Sequence, residues 1–225
     1  ELRERDPANA LLARGPARRL TAEQLRDSAL ALSGLLAESI GGPPAKPYQP
    51  KGSMWKDLNN FLPKYKRDKG DGLYRRSLYT FWRRTTTPPN MMVFDATTRE
   101  TCSTRRTTTN TPLQALVTLN DPQFVEAARK LAERIIKEGG TTNKSRARWA
   151  YREVTGKFPD PKQLALLTEL IAEQREFFTT ESSDAIALLK VGDSKPDPAL
   201  DPTELATFTT LAQGLLNLDA HITLR

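Results

Sequence analysis

Apolar side chains recur at helical spacing along much of the chain, and this pattern predicts amphipathic helices. The first helix is predicted to begin after Thr21, because Thr21 and Gln24 have the capping-box spacing that satisfies free amide groups at a helix start. Glycine can adopt the left-handed cap and proline cannot continue a helix, so the run Gly41-Gly42-Pro43-Pro44 is expected to end it. The apolar face of this helix comprises Leu25, Ala29, Leu32, Leu36 and Ile40.

The same periodicity over residues 112–225 predicts a bundle of about five helices. Three of the predicted helices follow an Asp-Pro pair, at Asp121, Asp160 and Asp201, and a fourth follows Thr111-Pro112. We interpret these aspartates as helix caps and not as catalysts, because aspartate is strongly favoured at the N-cap position. The predicted buried positions are Phe124, Ala128, Leu131, Ile135, Trp149, Val154, Leu164, Leu167, Ile171, Phe178, Leu205, Phe208, Ala212 and Leu215.

The pattern is lost in the middle of the chain. Leu73–Trp82, which mixes aromatic residues and arginines, is predicted to be extended, and Met91–Phe94 to form a short strand or a turn of helix. A short helix is expected at Trp55–Leu62. The predicted fold is therefore mainly α, a helical bundle with an irregular Arg/Thr-rich central segment and at most a short β-hairpin. We predict a single domain over residues 1–225, with an N-terminal helix (1–42), an irregular basic segment (43–111) and the bundle (112–225).

The composition shows in addition that the positive charge is concentrated in one segment. The hydrophobic content of 38% and the charged content of 27% are typical of a globular protein. No apolar run is long enough to predict a membrane span, and the charged opening ELRERDP is interpreted as the cut end of a longer protein. The net charge is +7. Phe61–Arg106 contains eleven basic and four acidic residues, so this segment carries the whole excess.

Four arginines of the basic segment are the main candidates for chemistry. A guanidinium group can bind a carboxylate, sulfate or phosphate through two parallel hydrogen bonds, so one interpretation is an anion or acidic-glycan site with aromatic stacking platforms. The other is that the arginines fasten the irregular segment to the bundle, and the many backbone groups of such a segment favour it. The residues concerned are Arg83, Arg84, Arg105 and Arg106, the aromatic residues Trp82 and Tyr79, and the supporting acids Asp95 and Glu100.

Catalytic and metal sites find little support in the sequence. Asp95 and Glu100 have no defined separation as a glycosidase pair, and Cys102 has no histidine near it in sequence, since His221 is the single one. Asp193, Asp197 and Asp201 do not form a calcium loop, because prolines interrupt them. No catalytic residue and no metal ligand is predicted, and whether the domain is an enzyme stays open, with a non-enzyme favoured.

One long segment resembles a known family. YRRSLYTFWRRTTTPPNMMVFDATTRETCSTRR followed by TNTPLQALVTLNDPQFVEAAR is similar to the C-terminal domain of unknown function of planctomycete-type cytochrome c domain proteins. The opening RRLTAEQLRDSALALSG and the closing LLNLDAHITLR also resemble that domain. The resemblance implies an exported, multidomain parent that is periplasmic or at the cell surface. It also implies a c-type haem elsewhere in the parent, because Cys102 is followed by Ser103-Thr104-Arg105 and no Cys-x-x-Cys-His motif is present.

The function predicted from these observations is a non-catalytic helical module that packs on partner domains, with an anionic polysaccharide as a candidate ligand. No cofactor is expected in this chain. The alternative is a carbohydrate-active or redox-linked enzyme domain whose site is completed by N-terminal domains of the parent. Nucleic-acid binding ranks third: basic residues alternate with aromatic ones, as in single-strand binders, but no nucleic-acid motif is present and an exported parent rarely meets nucleic acid.

Overall fold

The structure is a computed structural model, and it describes residues 2–13, 15, 17–50, 65–83 and 87–224. The fold is mainly α-helical, as predicted. The helices are α1 (Leu2–Arg5), α2 (Ala22–Ser33), α3 (Pro89–Val93), α4 (Pro112–Asn120), α5 (Pro122–Glu138), α6 (Asn143–Thr155), α7 (Pro161–Thr180), α8 (Ser182–Leu189), α9 (Pro202–Leu216) and α10 (Asp219–Ile222). None of the helices in this described part combines the length and the apolar character that crossing a bilayer requires.

Helices α5 and α9 form the central pair of the fold, with α2 packed against α5 and with α7 and α8 packed against α9. Burial of apolar area on both central helices supplies the main stabilisation, as the hydrophobic effect requires. Most of the apolar positions predicted for the bundle are buried here. Those with less than a tenth of their surface exposed are Phe124, Ala128, Leu131, Ile135, Val154, Ile171, Phe178, Leu205, Phe208, Ala212 and Leu215.

The caps predicted at Thr21, Asp121, Asp160 and Asp201 are confirmed at the atomic level, whereas the cap predicted from the spacing of Thr111 and Gln114 has no side-chain hydrogen bond. The carboxylate of Asp121 accepts from the Gln123 amide, that of Asp160 from the Gln163 amide and that of Asp201 from the Glu204 amide. Proline occupies the first helical turn after each of them, where its missing N–H costs nothing. Thr21 and Gln24 form the full capping box of α2. These aspartates therefore serve the helix starts.

Helix α2 ends earlier than predicted. It stops at Ser33, where Gly34 adopts a left-handed conformation with φ of 73° and caps the carbonyls of Leu30 and Ala31. Beyond the cap the chain turns, and Ile40 is 90% exposed instead of lying on the buried face. Gly34, seven residues before Gly41, is also a suitable helix cap. The sequence predicts the later end because the apolar spacing continues to Ile40.

The prediction of an extended Leu73–Trp82 is wrong for half of its ten residues. Two 3₁₀ helices, Gly70–Tyr74 and Ser77–Tyr79, form there, joined to the rest of the backbone by single bridges such as Ala37–Arg75. The side chain of Arg26 explains why this segment does not form a strand. The buried guanidinium of Arg26 on α2 donates to the carbonyls of Leu73 and Arg75, at 2.9 and 2.7 Å, so these backbone groups need no neighbouring strand.

The Arg26 contact has an electrostatic cost, since burial lowers the pKa of its guanidinium to about 10. The carboxylate of the neighbouring Asp27, 3.6 Å away, offsets part of this cost and also accepts from the Ser77 amide.

Two other short elements were predicted in the middle of the chain. Met91–Phe94 lies mainly in α3, and a turn of helix was one of its two predicted states. The helix expected at Trp55–Leu62 falls outside the described residues.

The β-structure among the described residues joins distant parts of the chain. Strands β1 (Arg18–Arg19) and β2 (Thr223–Leu224) pair antiparallel, with Arg18 opposite Leu224 and Arg19 opposite Thr223. The amide of Leu20 continues the pairing by donating to the carbonyl of Ile222 at 2.8 Å. The strand content is therefore as small as predicted. The two paired strands, however, are separated by almost the whole sequence.

Candidate functional site

The two aromatic rings predicted as stacking platforms contact arginines of their own chain. The guanidinium of Arg75 lies 4.2 Å from the centre of the Tyr79 ring, and the Tyr79 hydroxyl accepts from the amide of Gly41 at 3.0 Å. The guanidinium of Arg99 lies 4.1 Å from the centre of the Trp82 ring, and the indole donates to the carbonyl of Thr98 at 3.1 Å. A guanidinium over a ring is a stabilising cation–π contact. Each ring thus already has one cationic partner within the domain.

Arg106 and Asp95 each contact a different partner. Arg106 forms two hydrogen bonds with the carboxylate of Glu23, at 2.7 and 3.1 Å, which ties the basic segment to α2. Although burial opposes ionisation of Glu23, this contact holds its pKa below the ordinary value. Asp95, in a left-handed conformation with φ of 59°, accepts from the amide and hydroxyl of Thr109 at 2.7 to 3.0 Å. Asp95 thereby closes a surface loop over residues 95–109.

Only part of the predicted set meets in space. Asp95 and Arg106 line one small cavity of about 60 Å³, together with Arg19, Thr109 and Gln114 among others. Its lining combines one acidic residue with two arginines. Of the remaining candidates, Arg105 and Glu100 are exposed and Arg83 is half-buried. Arg84 lies outside the described residues.

The most concentrated group of polar contacts is centred on Glu126 of α5, whose side chain is fully buried. One carboxylate oxygen accepts from the Tyr48 hydroxyl at 2.8 Å. The other accepts from the Tyr74 hydroxyl at 2.8 Å, and from the amides of Asp193 and Ser194 and the hydroxyl of Ser194 at 2.6 to 2.9 Å. The carboxylate thus joins α5 to three segments far from it in sequence. We call Glu126 and these partners the Glu126 hub.

A second buried residue supports the hub. Arg129, also fully buried and 3.9 Å from Glu126, donates to the carbonyl and hydroxyl of Ser194 at 2.6 and 2.9 Å. Burial lowers its pKa, while burial and the bond to Glu126 raise the pKa of Tyr48 and Tyr74. These shifts keep the tyrosines protonated as donors. Both oxygens of the Glu126 carboxylate accept hydrogen bonds, whereas Nε of Arg129 is buried without a partner among the described residues. Because the side chains of Glu126 and Arg129 are fully buried, we assign the hub a structural role.

Sequence reasoning missed the hub, because its charged residues lie on the side of α5 that the sequence predicts to be polar. Glu126, Arg129 and Glu133 occur at positions i, i+3 and i+7, on the side of the helix opposite the predicted buried positions Phe124, Ala128, Leu131 and Ile135. Arg129 donates to Glu133 at 3.4 Å. A row of opposite charges at this spacing is typical of an exposed helix face, so the pattern does not indicate that these side chains are buried.

Helix α4 has its polar side buried and its apolar side exposed. Gln114 and Thr118 are 3% and 1% exposed, whereas Leu113 and Leu116 are 54% and 55% exposed. The Gln114 amide donates to the Val93 carbonyl and the Thr109 hydroxyl, at 3.0 and 3.1 Å, instead of forming the predicted cap. An amphipathic helix normally buries its apolar face. The orientation of α4 therefore leaves a leucine face directed outward.

A groove borders this leucine face. It has a volume of about 380 Å³ and is lined by Tyr48, Gln49, Pro50, Leu116, Val117, Asn120, Asp121 and Pro122. Leu119, one turn beyond Leu116, is 36% exposed and extends the apolar surface. We call Leu113, Leu116, Leu119 and this groove the α4 face. Contiguous exposed apolar surface of this kind marks interaction sites in soluble proteins.

The remaining candidates for chemistry are separate. Cys102 is exposed, whereas His221 is 6% exposed and its Nδ1 lies 3.3 Å from the carbonyl of Val154. Asp197 binds Lys137 at 2.5 Å, and Asp193 binds Arg67 at 2.8 Å, so these aspartates serve ion pairs. Within the ranges that the structure describes, no group of three or more potential ligand residues is placed to hold a metal ion.

The sole histidine of the chain predicts a pH effect. Burial lowers the pKa of His221 below the ordinary value of 6.5. Below that value the unfolded chain binds a proton that the folded chain does not, so the stability should fall as the pH drops from about 7.5 to 5.5. Melting temperatures across this range measure the effect. The variant His221→Gln should flatten the profile, and an unchanged slope in the variant would assign the effect to other groups.

Comparison with known protein families finds a match over most of the chain. The model of the PSD1 family, described as "Protein of unknown function (DUF1553)", matches residues 1–171. This range includes the irregular segment, the α4 face and the Glu126 residue of the hub. No curated protein and no solved structure matches the chain.

Proposed function

The chain belongs to the PSD1 family of proteins of unknown function, and from this premise we propose that it is a non-catalytic helical module that packs on partner domains. The observation that carries the proposal is the α4 face. Leu113 and Leu116 are each more than half exposed, although burying a leucine side chain is worth about 1.5–3 kcal/mol. A domain that orients α4 in this way gains that stabilisation only when another protein surface covers the leucines.

The contacts of the carboxylates described above support a non-catalytic role. Asp95 accepts two hydrogen bonds from Thr109 and holds the surface loop, while Glu23 is paired with Arg106. The side chain of Glu126 is fully buried. General acids and bases have to reach a bound substrate, and the buried Glu126 cannot do so.

The partners proposed are the other domains of the same polypeptide. The sequence resemblance implies an exported, multidomain parent with a c-type haem segment, and we retain that setting as part of the proposal. The acidic polysaccharide stays a prediction for the exposed Arg105 and its neighbours. The carbohydrate-active or redox-linked enzyme and the nucleic-acid binder likewise stay predictions, since no cavity or contact among the described residues favours them.

The substitution Leu116→Glu tests the packing in the full-length protein. Wild-type domain should melt at a higher temperature within the full-length protein than alone, because docking on a neighbour stabilises the folded state. Leu116→Glu should reduce the melting temperature in the full-length protein to that of the isolated domain. The isolated domain itself should change little, since Leu116 is 55% exposed. Differential scanning calorimetry of both forms measures the two effects.

Ile186→Glu on α8 is the matched control, because Ile186 is 47% exposed on a different helix. It should leave the melting temperature of the full-length protein unchanged. Equal melting temperatures of the wild-type domain in the two forms would refute the packing proposal. Turnover of a substrate that Asp95→Asn abolishes, with the fold intact, would refute the non-catalytic part.

A further inference from the structure

A row of three cations runs along α6. Lys144, Arg148 and Arg152 occupy positions i, i+4 and i+8 and are all exposed, so their α-carbons rise by about 6 Å per step along the helix. Arg148 and Arg152 each lie 4.8 Å from the centre of the Phe158 ring. The ion pairs formed by α6 in the described parts of the chain use Arg146 and Glu153 instead. We call these three residues the cation row.

A row of three acids runs along the neighbouring helix α7. Glu169, Glu173 and Glu176 occupy positions i, i+4 and i+7 and are all exposed. The ion pair of α7 that the described residues show is formed by Arg175, whose guanidinium lies 3.9 Å from Glu204. The acid row spans about 10 Å along its helix and the cation row about 12 Å, at 1.5 Å per residue. The two rows therefore match in length and are opposite in charge.

Among the described residues, no ion pair neutralises either row. Like charges at i, i+4 on one helix repel and destabilise it, so each row would be stabilised by an opposite row at the same spacing. Helices α6 and α7 pack together and border a groove of about 550 Å³, lined by Lys144, Arg148 and Thr168 among others. A polyanion bound to the cation row would meet the acid row on the adjacent helix. This arrangement favours a partner that carries both charges.

A second copy of this chain carries both rows, and we propose that α6 and α7 form a self-association surface. In a two-fold dimer, the cation row of one copy lies against the acid row of the other, and the symmetry repeats the pairing. Three exposed apolar side chains on or next to these helices add contact area: Phe158 and Leu166, each 57% exposed, and Phe177, 45% exposed. This surface is separate from the α4 face, so the inference goes beyond the proposed function.

The size of the surface determines the strength expected. Helix α6 has 13 residues and α7 has 20, which corresponds to lengths of about 20 and 30 Å and a width of about 10 Å each. The pair offers about 500 Å² per copy, at the lower end of the range for specific interfaces. We expect a reversible dimer that forms at micromolar or higher concentrations and weakens with salt, because exposed charges are screened.

A charge-exchange experiment tests the pairing by sedimentation velocity over a range of protein concentrations, at low and at high salt. The wild-type chain should dimerise at low salt. Arg148→Glu and Glu173→Lys should each reduce association at least tenfold, because each places like charges opposite each other twice per dimer. An equimolar mixture of the two variants should associate again, since it restores opposite charges at both positions. Arg76→Glu, at an exposed site outside both helices and outside the candidate anion-binding residues, is the matched control and should associate as wild type.

Each outcome decides for or against the inference. A wild-type chain that stays monomeric at low salt and about 1 mM protein overturns it, as does a mixture of the two variants that fails to associate. Binding of heparin by a monomeric chain, lost in Arg148→Glu, would assign the cation row to a polyanion instead. Both substitutions are at exposed positions, so we expect every variant to fold. Circular dichroism checks this and excludes unfolding as the cause of a lost association.

Discussion

Replacing Glu126 by glutamine is expected to destabilise the protein by about 4 kcal/mol, the range for breaking a buried charge pair. The carboxylate accepts five hydrogen bonds, from Tyr48, Tyr74, the Asp193 amide and two groups of Ser194. A glutamine amide has one accepting oxygen and presents N–H groups on its other side. With its oxygen in the Oε1 position the amide keeps four of the bonds, but the Tyr48 hydroxyl loses its acceptor. Arg129 would lose the negative charge 3.9 Å away, and this uncompensated buried cation is the main cost. Urea unfolding followed by circular dichroism measures the loss.

Glu138→Gln is the control for this experiment, since it removes the same charge from an exposed pair with Arg134 on the same helix. Exposed pairs contribute about 0–1 kcal/mol, so the control should be close to wild type. Equal effects of the two substitutions would contradict the assignment of Glu126 as the hub. A loss confined to Glu126→Gln would confirm that the buried carboxylate holds the four segments together.

Gly192→Ala is expected to cost about 3 kcal/mol, from steric overlap together with backbone strain. Gly192 has a φ of 102°, a conformation that side chains rarely adopt, and a β-carbon placed there would lie 2.7 Å from Cγ and Oε1 of Glu126. The carboxylate would have to move away from the Asp193 and Ser194 amides, which follow directly in the chain. The free energy of unfolding, again from urea titration, should report the combined effect.

Gly156→Ala separates the two causes. Gly156 also has a positive φ, of 70°, but a β-carbon there meets nothing within 4 Å. This substitution should cost about 1 kcal/mol, the value of the backbone strain alone. The difference between the two variants then measures the overlap with Glu126. If both variants lose the same stability, the close approach of the backbone at residue 192 has no energetic consequence.

Local signals made the helices and their caps predictable from the sequence. Asp160 and Gln163 are three residues apart, and their mutual hydrogen bonds depend on nothing outside that turn. The buried face of α5 was equally predictable, because its period is set by the helix itself. The end of α2 was not, since Gly34 and Gly41 are both suitable caps and packing beyond the helix chose between them.

Contacts between distant residues explain what the sequence did not reveal. Gln114 has the spacing of a capping residue, but its buried side chain donates hydrogen bonds to Val93 and Thr109 instead. Arg26 lies in an ordinary helix, and its role became visible only with the carbonyls of Leu73 and Arg75 beside it. The predicted arginines lay in the right segment for anchoring contacts, and Arg106 forms one with Glu23. No pattern in the sequence indicates that Glu23, 83 residues away, is the partner of Arg106.

The Glu126 hub also has a consequence for the order of folding. Its contacts join residues separated by 78, 52 and 67 positions in the chain, and closing such long loops costs entropy before any contact forms. The capped helices need only local contacts, so we expect them to form before the hub closes. Interactions made after the rate-limiting step slow unfolding and leave the folding rate almost unchanged. The hub is thus expected to determine the lifetime of the folded domain more than the speed at which it forms.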